Sequence, residues 1–529
     1  MPNIHAFYRL RADHFGGRSL NLLVTRRPHV RERFGNARDI GENSMTAASA
    51  AGTATPQLSL VPARMDRLPW TRFHWSIVIG LGVSWILDGL EIQIVSAGGF
   101  EQTLHMTTSE VALTGTIYLI GQVVGALYFG RLTDKIGRKR LFILTLAIYL
   151  LASGLAGFSF SVWFLWIFRF IAGLGIGGEY TAINSAIDEL IPSRYRGRVD
   201  IAVNGTYWGG AMIGATANLW LLDPNVIAVD WGWRIGFFIG PVLGLIIIYL
   251  RRHIPESPRW LMTHGKLAEA ERTVDEIEAG VRREGVTLSE VPPDKAMSIV
   301  EAPRLGFRTV SGIFLKKYPK RSFLGFSMMV TQSFLYNAIF FTYALVLHNF
   351  YHISDSDTSW YFFPFAVGNL LGPLILGPFF DTIGRRKMIL GTYGFAGIVL
   401  AVSAALFQAG TLNATTHTIF WCVSFFFASA GASSAYLTVS EIFPLELRGQ
   451  AISYFFAISQ AAGATAPAVF GVLIGDGTSR GPLTVGYFVG AGIMIAGGLI
   501  AWFCGVNAEG QSLEDVADPL SKAPATSAG

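Results

Sequence analysis

Asp88 and Glu91 stand three residues apart in the stretch "WILDGLEIQIVSAGGF" (85–100), which is otherwise apolar. At that spacing both carboxylates share one helix face. Inside a bilayer an ionised carboxylate costs several kcal/mol, roughly, unless it has a partner, a proton or water. Arg169, which opens "RFIAGLGIGGEY" (169–180), is the matching cation. Glu91 and Arg169 each lie about seven residues from the same-side end of their apolar segments, so at 1.5 Å per residue both sit about 10 Å below one surface. Equal depth permits an ion pair, which reduces the burial cost of each charge. A carboxylate held between burial and a neighbouring arginine takes up or releases a proton as that arginine moves. Proton coupling is therefore expected at Glu91 and Arg169, with Asp88 as the other acid, binding or orienting a solute. The competing reading is a structural ion pair that fixes helix packing. Glu179, ten residues or about 15 Å below Arg169, is either a second proton station or the partner of a loop arginine.

These residues need membrane helices to position them. The chain has 529 residues, 51% hydrophobic and 15% charged. With a mean hydropathy of +0.43, it fits an integral membrane protein. Segments of the ~20 residues that cross a hydrocarbon core fall near 75–98, 110–130, 141–159, 162–184, 200–222, 234–251, 322–348, 359–379, 388–408, 416–438, 450–474 and 483–505. The prediction is an all-α protein of twelve transmembrane helices. The hydrophilic stretch 252–321 separates spans six and seven, and "GKLAEAERTVDEIEAGVRREG" within it reads as a surface helix.

Basic residues crowd alternate loops: "GRLTDKIGRKR", "PSRYRGR", 252–321, "DTIGRRK" and "LELRGQ". The opposite loops carry Arg234 and Arg480 among several acids. This positive-inside pattern places both termini and the long loop in the cytoplasm. It also accounts for a pI near 9.1 without nucleic acid. Residues 1–70 are polar and Arg-rich and read as a disordered cytoplasmic tail; a start at Met45 would make 1–44 an upstream extension. Cys422 and Cys504 lie in apolar runs, so neither a disulfide framework nor a metal site is expected. "GLGIGG" (173–178) imitates a dinucleotide fingerprint, but no strand precedes it, and close helix packing is the better reading. His352 and Asp357 have an acyltransferase-like spacing that reads as chance in a short outer loop.

Two motifs recur. "GRLTDKIGRKR" (130–140) matches "GPFFDTIGRRK" (377–387), placing Asp134, Gly137 and Arg138 on Asp381, Gly384 and Arg385. "ELIPSRYRGR" (189–198) matches "EIFPLELRGQ" (441–450), placing Glu189 and Arg196 on Glu441 and Arg448. The chain therefore reads as two pseudo-symmetric six-helix bundles, 71–252 and 322–506, joined by a linker at 253–321 and followed by a cytoplasmic tail at 507–529. Such a repeat places a binding site between the halves near the midplane.

On these motifs the chain resembles the major facilitator superfamily of transporters. "RFIAGLGIGGEY", "ELIPSRYRGR", "PESPRWL" (255–261) and "EGQSLED" (509–515) are similar to the sugar-porter and metabolite–proton symporter branch. The resemblance puts Glu91 on the proton-coupling acid of "GYDTxVISG" and Arg169 on its partner. "DGLE" also resembles the "DGxD" of aromatic-acid symporters, with Asp88 on the first acid. "TQSFLYNAIFFTY" (331–343) is similar to "QQxSGxNxxxYY", matching at Gln332 and Asn337, while Phe334 and Leu335 replace Ser and Gly and argue against a hexose.

Solute contacts are expected from Asp88, Arg169, Asn204, Trp208, Gln332, Tyr336 and Asn337, with Asn369 and Gln460 as weaker candidates. The repeated loops, namely Asp134, Gly137, Arg138, Glu189, Arg196, Asp381, Gly384, Arg385, Glu441 and Arg448, are expected to form a gate that breaks as the halves rock. The combined reading is a monomeric secondary transporter of the inner (plasma) membrane. It moves a small polar organic solute, sugar-like or a small organic acid, by proton symport and alternating access. It needs no cofactor, is not an enzyme, and its partners are the solute, protons and the bilayer. Arg169 would hold a carboxylate bidentately once Glu91 is protonated. A uniporter, an exporter or a non-transporting solute receptor are the rival readings.

Overall fold

Apolar runs in lipid must satisfy their backbone groups internally, and helices do so. The computed structural model describes residues 57–520 apart from 97–99, 107, 222, 224, 252–254, 300–306, 341, 354 and 476. A short helix α1 (Val61–Asp66) leads into the first half. That half comprises α2 (Arg72–Ser96), α3 (Thr108–Ile136), α4 (Arg138–Ala156), α5 (Val162–Leu190), the pair α6 (Ser193–Gly205) and α7 (Tyr207–Leu221), and α8 (Val229–Arg251). The linker carries α9 (Pro258–Thr263) and α10 (Leu267–Arg283). The second half comprises α11 (Pro319–Phe340) with α12 (Tyr343–Tyr351), then α13 (Asp355–Thr382), α14 (Arg385–Gln408) and α15 (Ala414–Glu441). It ends with α16 (Arg448–Gly463) paired with α17 (Ala466–Ile474), then α18 (Gly481–Cys504).

Among the described residues, ten helices are each long and apolar enough to cross a membrane. The fifth and eleventh spans complete the twelve, each as two shorter pieces. Sequence reading expected 200–222, 322–348 and 450–474 to be continuous, and all three are interrupted. At the first break Thr206 donates its hydroxyl to the carbonyls of Val203 (2.6 Å) and Gly82 (3.1 Å), a local competition with the helix ladder. At the third, Ala464 and Thr465 form a turn before Pro467, which supplies no N–H. At the second, Thr342 donates to the carbonyl of Ala338 at 2.5 Å. Broken helices at membrane depth belong where they line a cavity.

Several helices overrun their predicted ends. α3 reaches Ile136, α5 reaches Leu190, α15 reaches Glu441, and α6 starts at Ser193. The added turns hold Asp188, Glu189, Arg196 and Glu441, all buried. Hydropathy ends a span at such charges; here they stay helical because they pair with one another.

The glycines of "GLGIGG" set a close helix contact. A Cβ on Gly177 would lie 2.0 Å from the carbonyl oxygen of Gln122, so α3 and α5 pack backbone to backbone. The predicted structureless tail to residue 70 meets an ordered segment instead. Strand β1 (Gln57–Ser59) pairs antiparallel with β2 (Met297–Ile299) of the linker. Arg64 and Arg67 bind Glu278 of α10 at 2.9 and 2.6 Å. Asp66 takes the Arg259 guanidinium at 2.8 Å and the Ser193 N–H at 3.0 Å. Residues 1–56 lie outside the described residues.

Candidate functional site: a central cavity closed at one end

A cavity of about 750 Å³ lies between the halves. Helical spacing aligns its lining. α3 gives Thr114, Tyr118 and Gln122; α11 gives Gln332, Ser333, Tyr336, Asn337 and Phe340; α15 gives Ser429, Ser433 and Tyr436. Each set recurs at three or four residues, one stripe per helix. Residues beside the helix breaks complete it: Asn204, Tyr207 and Trp208 at the first, and Gly463 and Ala464 at the third. Of the expected solute contacts, Arg169, Asn204, Trp208, Gln332, Tyr336, Asn337 and Gln460 line this cavity. Gln460 spans the halves, donating to Gln122 at 3.0 Å.

Asn369 and Asp88 are placed elsewhere. Asn369 is fully buried, receives the Tyr336 hydroxyl and donates to the Phe365 carbonyl at 2.9 Å, so it orients Tyr336 from behind. Asp88 is screened by two tyrosines that line the cavity: Tyr180 donates to one oxygen and Tyr118 to the other at 3.5 Å.

Asp88 and Glu91, expected on one face, separate at their tips. Glu91 is 1% exposed. It receives the Ser153 hydroxyl of α4 at 2.5 Å, and its Oε1 lies 3.8 Å from Nη1 of Arg169. Arg169 lines the cavity and stacks over the Tyr118 ring, 4.1 Å from its centroid. Its Nε and Nη1 donate no hydrogen bond among the described residues. The guanidinium thus stands between a buried acid and the cavity. Glu179 is buried in α5, next to Tyr180. Sequence reading missed Tyr118, Gln122, Tyr180 and Tyr436. Their signal was faint: single polar side chains in apolar helices.

The cavity reaches the end of the bundle that carries Phe100 and Thr114. The other end of α3, roughly 35 Å away at 1.5 Å per residue, meets a lattice of ion pairs. Within the halves, Arg138 holds Glu189 at 2.8 Å and Arg385 holds Glu441 at 3.1 Å. Across the halves, Arg196 reaches Glu441 at 3.4 Å and Arg448 reaches Glu189 at 3.8 Å. Each glutamate is shared by one arginine from each half, as the sequence repeat requires. Asp381 adds a third crossing, accepting from the Gly197 and Arg198 N–H groups at 3.1 and 2.8 Å. The Asp134 side chain lies outside the described residues.

Gly137 and Gly384 take φ values of +95° and +110°, which glycine adopts without strain. Each faces a glutamate: a Cβ would lie 2.2 Å from Glu256 at Gly137 and 2.9 Å from Glu509 at Gly384. Glu256 accepts the Arg138 N–H at 2.9 Å and Glu509 the Arg385 N–H at 3.4 Å, each at a helix N-terminus. Burial raises the Glu256 carboxyl above the usual carboxylate range.

A twelve-helix bundle of two related halves around a central cavity, sealed at one end by charge, is the architecture of a secondary transporter. Residues 74–519 match the family model described as "Sugar (and other) transporter", and the chain belongs to that family, within the major facilitator superfamily. It is 30% identical over 473 residues to the putative metabolite transport protein YdjK of Escherichia coli, covering 86% of this chain and 96% of that protein. It is 26% identical to the niacin transporter NiaP of Acinetobacter baylyi, covering 77% and 89%. The solved proton:xylose symporter XylE, bound to 6-bromo-6-deoxy-D-glucose, shares the fold with a TM-score of 0.69 at 17% identity, covering 84% of this chain and 98% of that one. The protein is a multi-pass membrane transporter of the sugar and metabolite class, not an enzyme.

Proposed function

We propose that the protein moves a small polar organic solute, sugar-like or a small organic acid, across the membrane by proton symport with alternating access. The observation that carries the reading is the Glu91–Arg169 pair at 3.8 Å, buried on one side and open to the cavity through Arg169. A proton on Glu91 releases Arg169 toward the cavity, where it can hold a carboxylate or a hydroxyl of the solute. Deprotonation draws it back. Gln332, Asn337, Asn204 and Gln460 supply amide groups, and Trp208 and Tyr336 supply flat apolar walls. The named solutes of the relatives, niacin and xylose, support both solute arms. The lattice around Glu189 and Glu441 then serves as the gate. The alternating positive loops argue for the cell membrane with both termini and the gate on the cytoplasmic side, and for two working units at 71–252 and 322–506.

The test uses purified protein in liposomes with an imposed pH gradient and an internal pH dye. Sugars, polyols, aromatic acids and short carboxylates are added one at a time. A solute-triggered proton flux that Glu91→Gln removes supports the reading. Solute entry without proton flux makes the protein a uniporter and Glu91 a packing residue.

A further inference from the structure

Asp200 sits in α6, one turn beyond Arg196 and one turn before Asn204, which lines the cavity. It is fully buried, and neither carboxylate oxygen has a hydrogen-bond donor among the described residues. Charged groups face it from several elements. Asp188 of α5, Glu441 of α15, Arg385 of α14 and Arg196 of its own helix act on it electrostatically. Asp381 of α13 bonds the same helix at Gly197 and Arg198. Both arginines are paired with other acids, although Nε and Nη2 of Arg196 donate no hydrogen bond among the described residues. Arg385 is held by Glu441 at 3.1 Å and by Asp381 at 2.8 Å. Arg196 is shared between Glu441 at 3.4 Å and Asp66 at 3.8 Å. Asp188 has Arg448 at 3.9 Å; Asp200 is left among acids whose cations are taken. A buried carboxylate in that position is unstable as an anion, and a proton removes the penalty.

We propose that Asp200 is a proton-binding site built into the closed end, protonated while Arg196 is held by Glu441 and ionised once the halves part. Arg196 and Asp200 are i and i+4 on one helix, a spacing at which side chains meet. Arg196 belongs to the first half and Glu441 to the second, so separation breaks their pair. The guanidinium, released from Glu441 but still beside Asp66, then has Asp200 within reach on its own helix. Water enters the opened end and accepts the proton, leaving the Asp200 carboxylate paired with Arg196. Closing runs the exchange backwards and takes one proton from that side. The gate therefore responds to pH by itself, apart from any coupling at Glu91.

The test measures gate opening directly. With Cys422 and Cys504 replaced by serine, spin labels are placed at Arg140→Cys and Lys387→Cys, exposed positions at this end of the two halves. Their separation in lipid nanodiscs is followed across pH without solute. The expected result is a shift from short to long distances as pH rises. Asp200→Asn, which imitates the protonated side chain, holds the short distance at every pH, and Asp200→Glu restores the shift. An Asp200→Asn variant that opens with the wild-type pH profile overturns the proposal. So does a wild-type separation that stays the same across pH. If Asp200→Asn does not fold, infrared spectra of the wild type and Asp200→Glu decide. The protonated-carboxyl stretch must move in the glutamate variant and stay unchanged in Glu91→Gln; a band identical in wild type and Asp200→Glu overturns the assignment.

Discussion

Glu91 and Arg169 face each other at 3.8 Å from helices α2 and α5, and only the arginine touches the cavity. The acid is held from behind by Ser153 of α4. A Cβ on Gly240 of α8 would lie 2.9 Å from its second oxygen, so the pocket fits a carboxylate closely. This arrangement separates the group that carries a proton from the group that meets solute.

Replacing the two residues should therefore give different defects. Glu91→Gln should abolish uphill uptake yet retain counterflow, because exchange of solute for solute does not cycle a proton. Arg169→Ala should impair both and also lower stability, by about 3–5 kcal/mol, since it strands a buried acid. Uptake and counterflow in the same liposomes separate the two outcomes. Equal loss of both activities in Glu91→Gln would return the pair to a packing role.

The gate lattice predicts a non-additive response. Arg196→Gln or Glu441→Gln alone leaves a buried partner and should destabilise the protein by about 3–5 kcal/mol. The double variant should lose less than the sum, with a coupling of about 0.5–3 kcal/mol. Denaturant unfolding of the four proteins in one detergent gives the cycle. Additive losses would mean that the 3.4 Å contact contributes nothing of its own.

Much of this architecture was legible in the chain. Run lengths gave the twelve spans, and Asp134/Asp381 with Glu189/Glu441 gave the twofold repeat. Equal depth permitted the Glu91–Arg169 contact, which the structure shows at 3.8 Å. The breaks at Thr206, Thr342 and Ala464 were not legible. A threonine bonded to its own helix stands at each of the first two and a proline follows the third, and neither dents the hydropathy of a span. The place of Asp88 behind Tyr118 and Tyr180 was hidden as well, because a shared helix face does not fix where side-chain tips go. Nothing in the sequence singles out Asp200 at the start of the fifth span. Its isolation shows only when Arg196 and Arg385 are seen committed elsewhere.

The two signature glycines should not tolerate alanine equally. Both have positive φ, so each substitution carries about 1–3 kcal/mol of backbone strain. At Gly137 the new methyl would also lie 2.2 Å from Glu256, against 2.9 Å from Glu509 at Gly384. Gly137→Ala should therefore cost more transport and more stability than Gly384→Ala. Initial uptake rates and thermal unfolding of the two variants test the order, which reversal would overturn.

The segment from Gln57 to Arg67 should release in acid. Burial alone would raise the Glu278 carboxyl, but hydrogen bonds from Arg64 and Arg67 outweigh it and hold the group below the usual carboxylate range. A depressed carboxyl stabilises the ordered state above its ordinary range, and the contribution is lost as pH falls through the folded-state value. The strand pair Gln57–Ser59 with Met297–Ile299 is short, so once those bonds fail the segment is held mainly by Asp66, bound to Arg259 and Ser193, and by the buried Val61 and Met65. Hydrogen exchange across residues 57–67 should rise as pH is lowered through the carboxylate range, after correction for the intrinsic pH dependence of exchange. Glu278→Gln should show the high exchange already at neutral pH, while Asp275→Asn, which removes only the exposed partner of Arg64 at 2.5 Å, should change little. Equal exchange in wild type and Glu278→Gln would show that the strand pair and Asp66, not Arg64 and Arg67, fix the segment.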